Sequence, residues 1–278
     1  MRLVISLFSL FVAGYGIFWI AGNHPDIKTK VEEVLDVGNF HTLEIRYTSN
    51  QIMEKHRKEL LKDNRHRYLD PLLEFYPYLM MEVKYTLSDN KTHESMVLWD
   101  LTDGEMVINT KEWEKTHGFG DCIYADTNVQ EFKILSLLAK KGGSLDRDGL
   151  SKSLNIDQEI LDSWIQSCQK KKLIVQSGND YRLHLNAPRL RTVPETRIDE
   201  WLVTKPYKKA IRLPRQFSSA QIEKIAKAAF GQDFAIRKIT YVYLPVHSIV
   251  VQNPDDSTHI SHWNALNGRR LSHADLIR

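Results

Sequence analysis

The chain has 278 residues, of which 42% are hydrophobic and 26% charged. That is the make-up of a folded protein with room for about two ordinary domains, and it excludes a disordered or low-complexity chain. The net charge of +3, from 38 basic and 35 acidic residues, is too even to imply a nucleic-acid partner by itself.

Residues 3–21 carry no charged side chain. A helix crossing the hydrocarbon core needs roughly 20 apolar residues, whereas the apolar part of a cleaved signal peptide is usually about 7–15 long and ends in a small-x-small site. The best late cleavage site would place Trp19 where a small residue is preferred. Cleavage after Val12-Ala13-Gly14 would leave residues 15–20 as an apolar tail. The expectation is a single-pass transmembrane anchor over residues 1–22, with membrane lipid as its partner through residues 3–21. Arg2 on one flank and Lys28 and Lys30 on the other leave the side of the soluble body open.

Residues 39–110 read as a small α+β unit. Glu44-Ile45-Arg46-Tyr47 suits a short strand, and Thr48-Ser49-Asn50-Gln51-Ile52 fits a capping box that starts a helix. A strand follows over residues 75–85, with Pro77 near its beginning, where a missing N–H costs least. After a turn at Ser88-Asp89-Asn90 comes a strand at Thr92-His93-Glu94-Ser95. The unit closes on Trp99-Asp100-Leu101-Thr102-Asp103-Gly104, a turn that calls for positive φ at its glycine. Gly118-Phe119-Gly120-Asp121 is too short for a phosphate cradle and reads as a loop between domains.

Residues 128–187 differ in texture. An apolar helical period covers residues 129–141 and stops at Gly142-Gly143, and Asp146 can cap a second helix carrying Leu150 and Leu154. A third helix has the stripe Ile156, Ile160, Leu161, Trp164, Ile165 and Cys168, which reads Cys168 as a buried thiol. A hairpin follows, turning at Ser177-Gly178-Asn179-Asp180.

Residues 206–278 repeat the first unit. Ala210-Ile211-Arg212-Leu213 answers the first strand, and Ser218-Ser219-Ala220-Gln221-Ile222 answers the capping box. The strand over residues 243–251 carries Pro245, and Thr258-His259-Ile260-Ser261 answers the next strand. Trp263-Asn264-Ala265-Leu266-Asn267-Gly268 then repeats the pattern W-[DN]-x-x-[DN]-G. Matches in the same order over so long a stretch predict an internal duplication. The first unit has 9 basic and 12 acidic residues and the second 11 and 5, so the two suit packing as a pseudo-dimer. Equally, the basic unit suits anionic lipid or an acidic partner.

The strands and terminal hairpin, chiefly over residues 243–271, resemble the PepSY-type domain. That resemblance implies a small bacterial-envelope module with inhibitory or interaction roles, and hence an inner-membrane location. Three helices, a short strand and a hairpin over residues 128–187 resemble the winged-helix fold, which often implies DNA binding by the third helix. The outward positions of that helix argue otherwise: Asp157, Gln158, Glu159, Asp162, Ser163 and Gln166 put three carboxylates toward a polyanion, and no Arg or Lys appears before Lys170. A structural or protein-binding module is therefore expected there, with a protein as the expected partner, and DNA is disfavoured.

The fold class expected is α+β: a transmembrane helix, then two repeated units, each a helix on an antiparallel sheet, flanking a winged-helix module. Gln158, Glu159, Asp162 and Gln166, with Trp99 and Trp263, form the candidate interaction surface. The duplicated tryptophans read as core or interface anchors. His259-x-x-His262 is the only closely spaced histidine pair, and on a strand its members point to opposite faces. Cys122 and Cys168 cannot supply a zinc site unaided. No Walker loop, G-x-S-x-G or H-E-x-x-H occurs. No catalytic, cofactor or metal residue is assigned, and the expected function is that of a membrane-anchored, non-enzymatic interaction protein. The alternative is a membrane-bound transcription regulator.

Overall fold

The computed structural model describes residues 40–86, 91–185, 188–190, 193–199, 201–205 and 211–271. The expected anchor over residues 1–22 lies outside them, as do the turn at residues 88–90 and the end of the second unit. Among the described residues no helix is long and apolar enough to cross a membrane.

The elements in chain order are β1 (Phe40–Leu43), α1 (Ser49–Lys55), α2 (Arg57–Leu60), β2 (Arg67–Tyr68), β3 (Leu72–Thr86), β4 (Thr92–Asp100), β5 (Met106–Asn109) and β6 (Glu114–Lys115). Then come α3 (Phe119–Tyr124), α4 (Val129–Lys140), β7 (Ser144–Asp146), α5 (Arg147–Leu154), α6 (Gln158–Lys170), β8 (Ile174–Ser177) and β9 (Asp180–Leu183). The chain closes with β10 (Leu202–Lys205), β11 (Ile211–Arg212), α7 (Ser219–Phe230), β12 (Ala235–Gln252) and β13 (Thr258–Asn264). The architecture is mixed α+β: a 10-stranded sheet carries most strands, and β7, β9 and β8 form a separate 3-stranded sheet.

The first strand lies earlier than the sequence suggests, at Phe40–Leu43 rather than Glu44–Tyr47. The physical reason is a turn of the backbone that points the Arg46 and Tyr47 N–H groups at the Ala265 carbonyl, 3.0 and 2.8 Å away. Thr48 then caps α1 in a complete capping box, and Ser218 caps α7 in the same way. Each box stabilises its helix by about 1 kcal/mol. The two helices then differ: α7 runs on to Phe230, while α1 breaks at His56, whose ring packs on Trp263 with centroids 4.4 Å apart.

The long strands β3 and β12 pair antiparallel at the centre of the main sheet. Pro77 faces Tyr243 and Pro245 faces Phe75, so the two prolines stand symmetrically about the Tyr76–Leu244 pair. Hairpin partners follow the same register: Tyr78 lies opposite Asp100 and Leu79 opposite Trp99, just as Val246 lies opposite Asn264 and His247 opposite Trp263. Even the turns match. Leu101 N–H donates to the Pro77 carbonyl at 3.1 Å, and Ala265 N–H to the Pro245 carbonyl at 3.0 Å. The glycines that end the turns both have positive φ, 77° at Gly104 and 68° at Gly268.

The opening segments are exchanged between these hairpins. β1 runs parallel to β12, with His41 and Thr42 beside Val242 and Tyr243, and β11 runs parallel to β3, with Ile211 and Arg212 beside Glu74 and Phe75. The Gln216 and Phe217 N–H groups donate to the Leu101 carbonyl, mirroring Arg46 and Tyr47 on Ala265. The helices follow their strands. Ile52 of α1 buries itself with Ile249, Val251 and Trp263 on the later hairpin. Ile222, Ile225 and Ala226 of α7 pack with Leu79, Met81, Val97 and Trp99 on the earlier one. Each helix therefore covers the hairpin of the other half, not its own.

Residues 129–183 insert between the halves. Phe132 and Leu135 of α4, Leu150 of α5, and Leu161, Ile165 and Cys168 of α6 join the same apolar cluster as α7. The module shares a core with the platform beneath it.

Candidate functional site

Helix α6 buries Leu161, Ile165 and Cys168 on its inner stripe and turns Gln158, Glu159, Ser163 and Gln166 outward. Two of the sequence-chosen residues are tied down. The Arg147 Nε donates to Asp162 Oδ1 at 2.7 Å, and Arg147 Nη1 to Gln158 Oε1 at 2.8 Å. Gln158 Nε2 in turn donates to Asp148 Oδ1 at 2.7 Å. The bond from Arg147 holds the Asp162 carboxyl below the usual carboxylate range. The Arg147 guanidinium is thus spent on a carboxylate, and the amide of Gln158 is engaged at both ends. Between them stands Ile160, 48% exposed, one helical turn from the half-buried Trp164. The surface therefore consists of an aliphatic–aromatic pair flanked by Glu159 and Gln166.

Trp99 and Trp263 are not part of any surface. Both are buried, with the Trp99 indole N–H donating to the Gly104 carbonyl at 2.6 Å and that of Trp263 to Ser261 Oγ at 2.9 Å. An indole inside needs such a partner. Of the two sequence readings, core and interface anchor, burial selects the core.

Sequence reasoning missed a buried ionic cluster in the first turn. Lys115 Nζ lies 2.6 Å from Asp100 Oδ2 and 2.8 Å from Asp103 Oδ2, with all three side chains nearly sealed from solvent. Burial and the Asp100 charge push the Asp103 carboxyl up to about 7, against the pull of Lys115. Burial works against the Lys115 charge too, but Asp100, Tyr78 and Asp103 together outweigh it and keep the ammonium protonated. Next to this cluster, Glu105 accepts from the N–H groups of Gly118, Phe119 and Gly120 at 2.8, 3.2 and 3.1 Å. Residues 118–121 are thus a helix start and not the expected inter-domain loop, and their anion cradle is filled by the chain's own carboxylate. A methyl at Gly120 would sit 2.4 Å from the Asp103 carbonyl, which is why glycine stands there.

A second polar trio crosses between the halves. Ser248 Oγ donates to Glu74 Oε2 at 2.5 Å and lies 2.8 Å from His262 Nδ1. His262 Nδ1 also lies 3.6 Å from Glu74 Oε2, and its pull first, then the bond from Ser248, holds the Glu74 carboxyl below its ordinary range. With the one serine proton directed at Glu74, the Nδ1–H of His262 donates to Ser248. The chain of bonds runs from imidazole to hydroxyl to carboxylate, the reverse of the direction that activates a serine nucleophile. Ser248 is also only 2% exposed. The register equivalents in the other half are Met80, Leu98 and Val242, which share one apolar cluster.

His259 points away from His262, as strand geometry requires, and meets Arg270, whose Nη2 is 3.2 Å from its Nε2. Among the described residues no three His, Cys, Asp or Glu side chains come together to hold a metal. Cys122 and Cys168 are both buried and free, and burial pushes each thiol up to about 12.

No family model, no curated protein and no solved structure matches this chain.

Proposed function

We propose that the chain is a membrane-anchored, non-enzymatic interaction protein of a bacterial envelope. Residues 3–21 hold it to lipid. Two copies of one α+β unit clasp each other into a platform, a reading supported by the matched registers and turns. The platform carries a winged-helix-like module whose α6 faces a protein partner. The observation that supports this most directly is Ile160, left in water beside Trp164 on a face whose neighbouring Gln158 and Asp162 are fixed by Arg147. An apolar anchor with a polar rim is the usual build of a protein interface.

A photo-crosslinking residue placed at position 160 of the full-length chain in cells tests the proposal. The expected result is one discrete adduct, weakened by Glu159→Arg on the rim. Absence of any adduct at positions 160 and 166 would sink it.

The second reading, a membrane-bound transcription regulator, rests on the order of helices and hairpin in the same module. Its test is salt-titrated DNA binding by the full chain. Affinity above the nonspecific level with a steep salt slope would favour it. A reporter fused after Arg278 bears on both readings, because a body outside the cytoplasm excludes transcription.

A further inference from the structure

Around the Glu74–Ser248–His262 trio, one side of the sheet at the later hairpin exposes three apolar side chains. Ile260 is 51% exposed, Ile211 46% and Leu72 45%. The sheet register places them on one side. Ile211 lies beside Glu74, and Leu72 precedes Glu74 by two residues on the same strand. Ile260 likewise precedes His262 by two, and His262 reaches Glu74 through Ser248.

The counterpart face in the first half is covered. Met96 stands before Trp99 as Ile260 stands before Trp263, and its carbonyl accepts the Thr196 N–H at 2.8 Å. Leu98 N–H donates to Thr196 Oγ1 at 3.0 Å, Arg197 N–H donates to the Ile108 carbonyl at 3.0 Å, and Ile198 packs on the apolar cluster of that face. The covering strap is the segment just ahead of β10 and β11, so it obeys the same exchange as the strands. What leads into the second half lies across the first.

The strap has a counterpart in sequence ahead of β1. Pro194-Glu195-Thr196-Arg197 followed by Ile198-Asp199-Glu200-Trp201-Leu202 is answered by Pro25-Asp26-Ile27-Lys28 and then Val31-Glu32-Glu33-Val34-Leu35. Proline, acid and base recur in order, and then apolar, acid, acid, apolar, leucine. We propose that the face around Ile260 is the docking site for the chain's own residues 25–35, received as residues 194–202 are received in the first half. The inference rests on the two-copy reading of the platform and extends it to the segment that follows the anchor.

Paired cysteines in the full-length protein test it. Ile27→Cys with Ile260→Cys, and the adjacent Asp26→Cys or Lys28→Cys with Ile260→Cys, are oxidised mildly and mapped by peptide mass. Thr196→Cys with Met96→Cys is the reference pair, since those residues already meet through a backbone hydrogen bond. The expected result is an intrachain disulfide from at least one of the three pairs, to an extent within about twofold of the reference. If the reference pair closes and none of the three does, the docking inference is overturned while the two-copy reading stands. Disulfides between chains would overturn it too, and would make a second copy the occupant. The native Cys122 and Cys168 are buried, and each single variant controls for their reaction.

Discussion

The two turns built on W-[DN]-x-x-[DN]-G share a backbone and differ in charge. Thr102 N–H donates to Asp100 Oδ1 at 2.7 Å, and Leu266 N–H to Asn264 Oδ1 at 2.9 Å. Glu105 N–H donates to Asp103 Oδ1 at 2.9 Å, and Arg269 N–H to Asn267 Oδ1 at 3.0 Å. The geometry needs only an acceptor oxygen at each place, and asparagine supplies that without a charge. The first half instead buries two carboxyl groups and brings the single cation Lys115 in on β6 between them. The difference teaches that the turn is set by side-chain oxygens, while the charge is a separate feature with its own cost.

Breaking the clamp gives the largest effect. Lys115→Met leaves Asp100 and Asp103 buried without a cation, and loss of one partner from a buried ion pair costs about 3–5 kcal/mol. Urea unfolding should show that loss, and the triple variant Asp100→Asn, Asp103→Asn, Lys115→Met should recover most of it by making the first turn resemble the second. If the triple variant is as unstable as Lys115→Met alone, the turns are not interchangeable.

A middle-sized effect follows from pH. The Asp103 carboxyl rises from 3.8 to about 7 in the fold, so the folded state binds its proton more tightly than the unfolded chain. Its contribution is fully present below pH 4 and fades as pH climbs through about 7. The melting temperature of the native protein minus that of Asp103→Asn should therefore fall between about pH 4 and 7. A flat difference across that window would show that Lys115 holds Asp103 ionised throughout. Glu74 and Glu131 move in the opposite direction, which is why the difference and not the raw curve is read.

The smallest effect compares the caps. Thr48→Ala and Ser218→Ala should each cost about 1 kcal/mol in urea unfolding. Near-equal losses fit caps of one design, whereas a loss confined to Ser218→Ala would mark the broken helix after Thr48 as dispensable.

Much of the platform was legible because it rests on local chemistry. Capping boxes and glycines at positive φ are written in consecutive residues, and Thr48, Ser218, Gly104 and Gly268 stand where those rules put them. Pro77 and Pro245 instead lie inside β3 and β12, because both strands begin earlier than the sequence suggests. The exchange was not legible. Nothing in the apolar pattern of α1 says which hairpin it will cover, since either offers the same kind of surface. Lys115 and Glu105 were missed for a related reason. A lone charge in a polar stretch reads as solvated until the fold shows it buried against its partners. Of the candidate surface, the α6 residues are exposed or half-buried, as helical spacing places them, but the tie between Arg147 and Asp162 joins two helices and is invisible to a one-helix argument. The signal for the polar trio was asymmetry: Ser248 and His262 stand at the register positions that Met80 and Leu98 hold in the earlier hairpin.

The exchanged opening strands also constrain how the chain is made. The Thr42 hydroxyl bonds the Tyr243 carbonyl across 201 residues of sequence. On a ribosome the first unit must therefore wait, strand edge uncovered, until nearly the whole polypeptide has been synthesised. The inserted helices pack on one another early, but the core they share with α7 closes only when that helix has been made. A message cut short before β12 would yield an unclosed first half, so truncated products should be open to proteolysis.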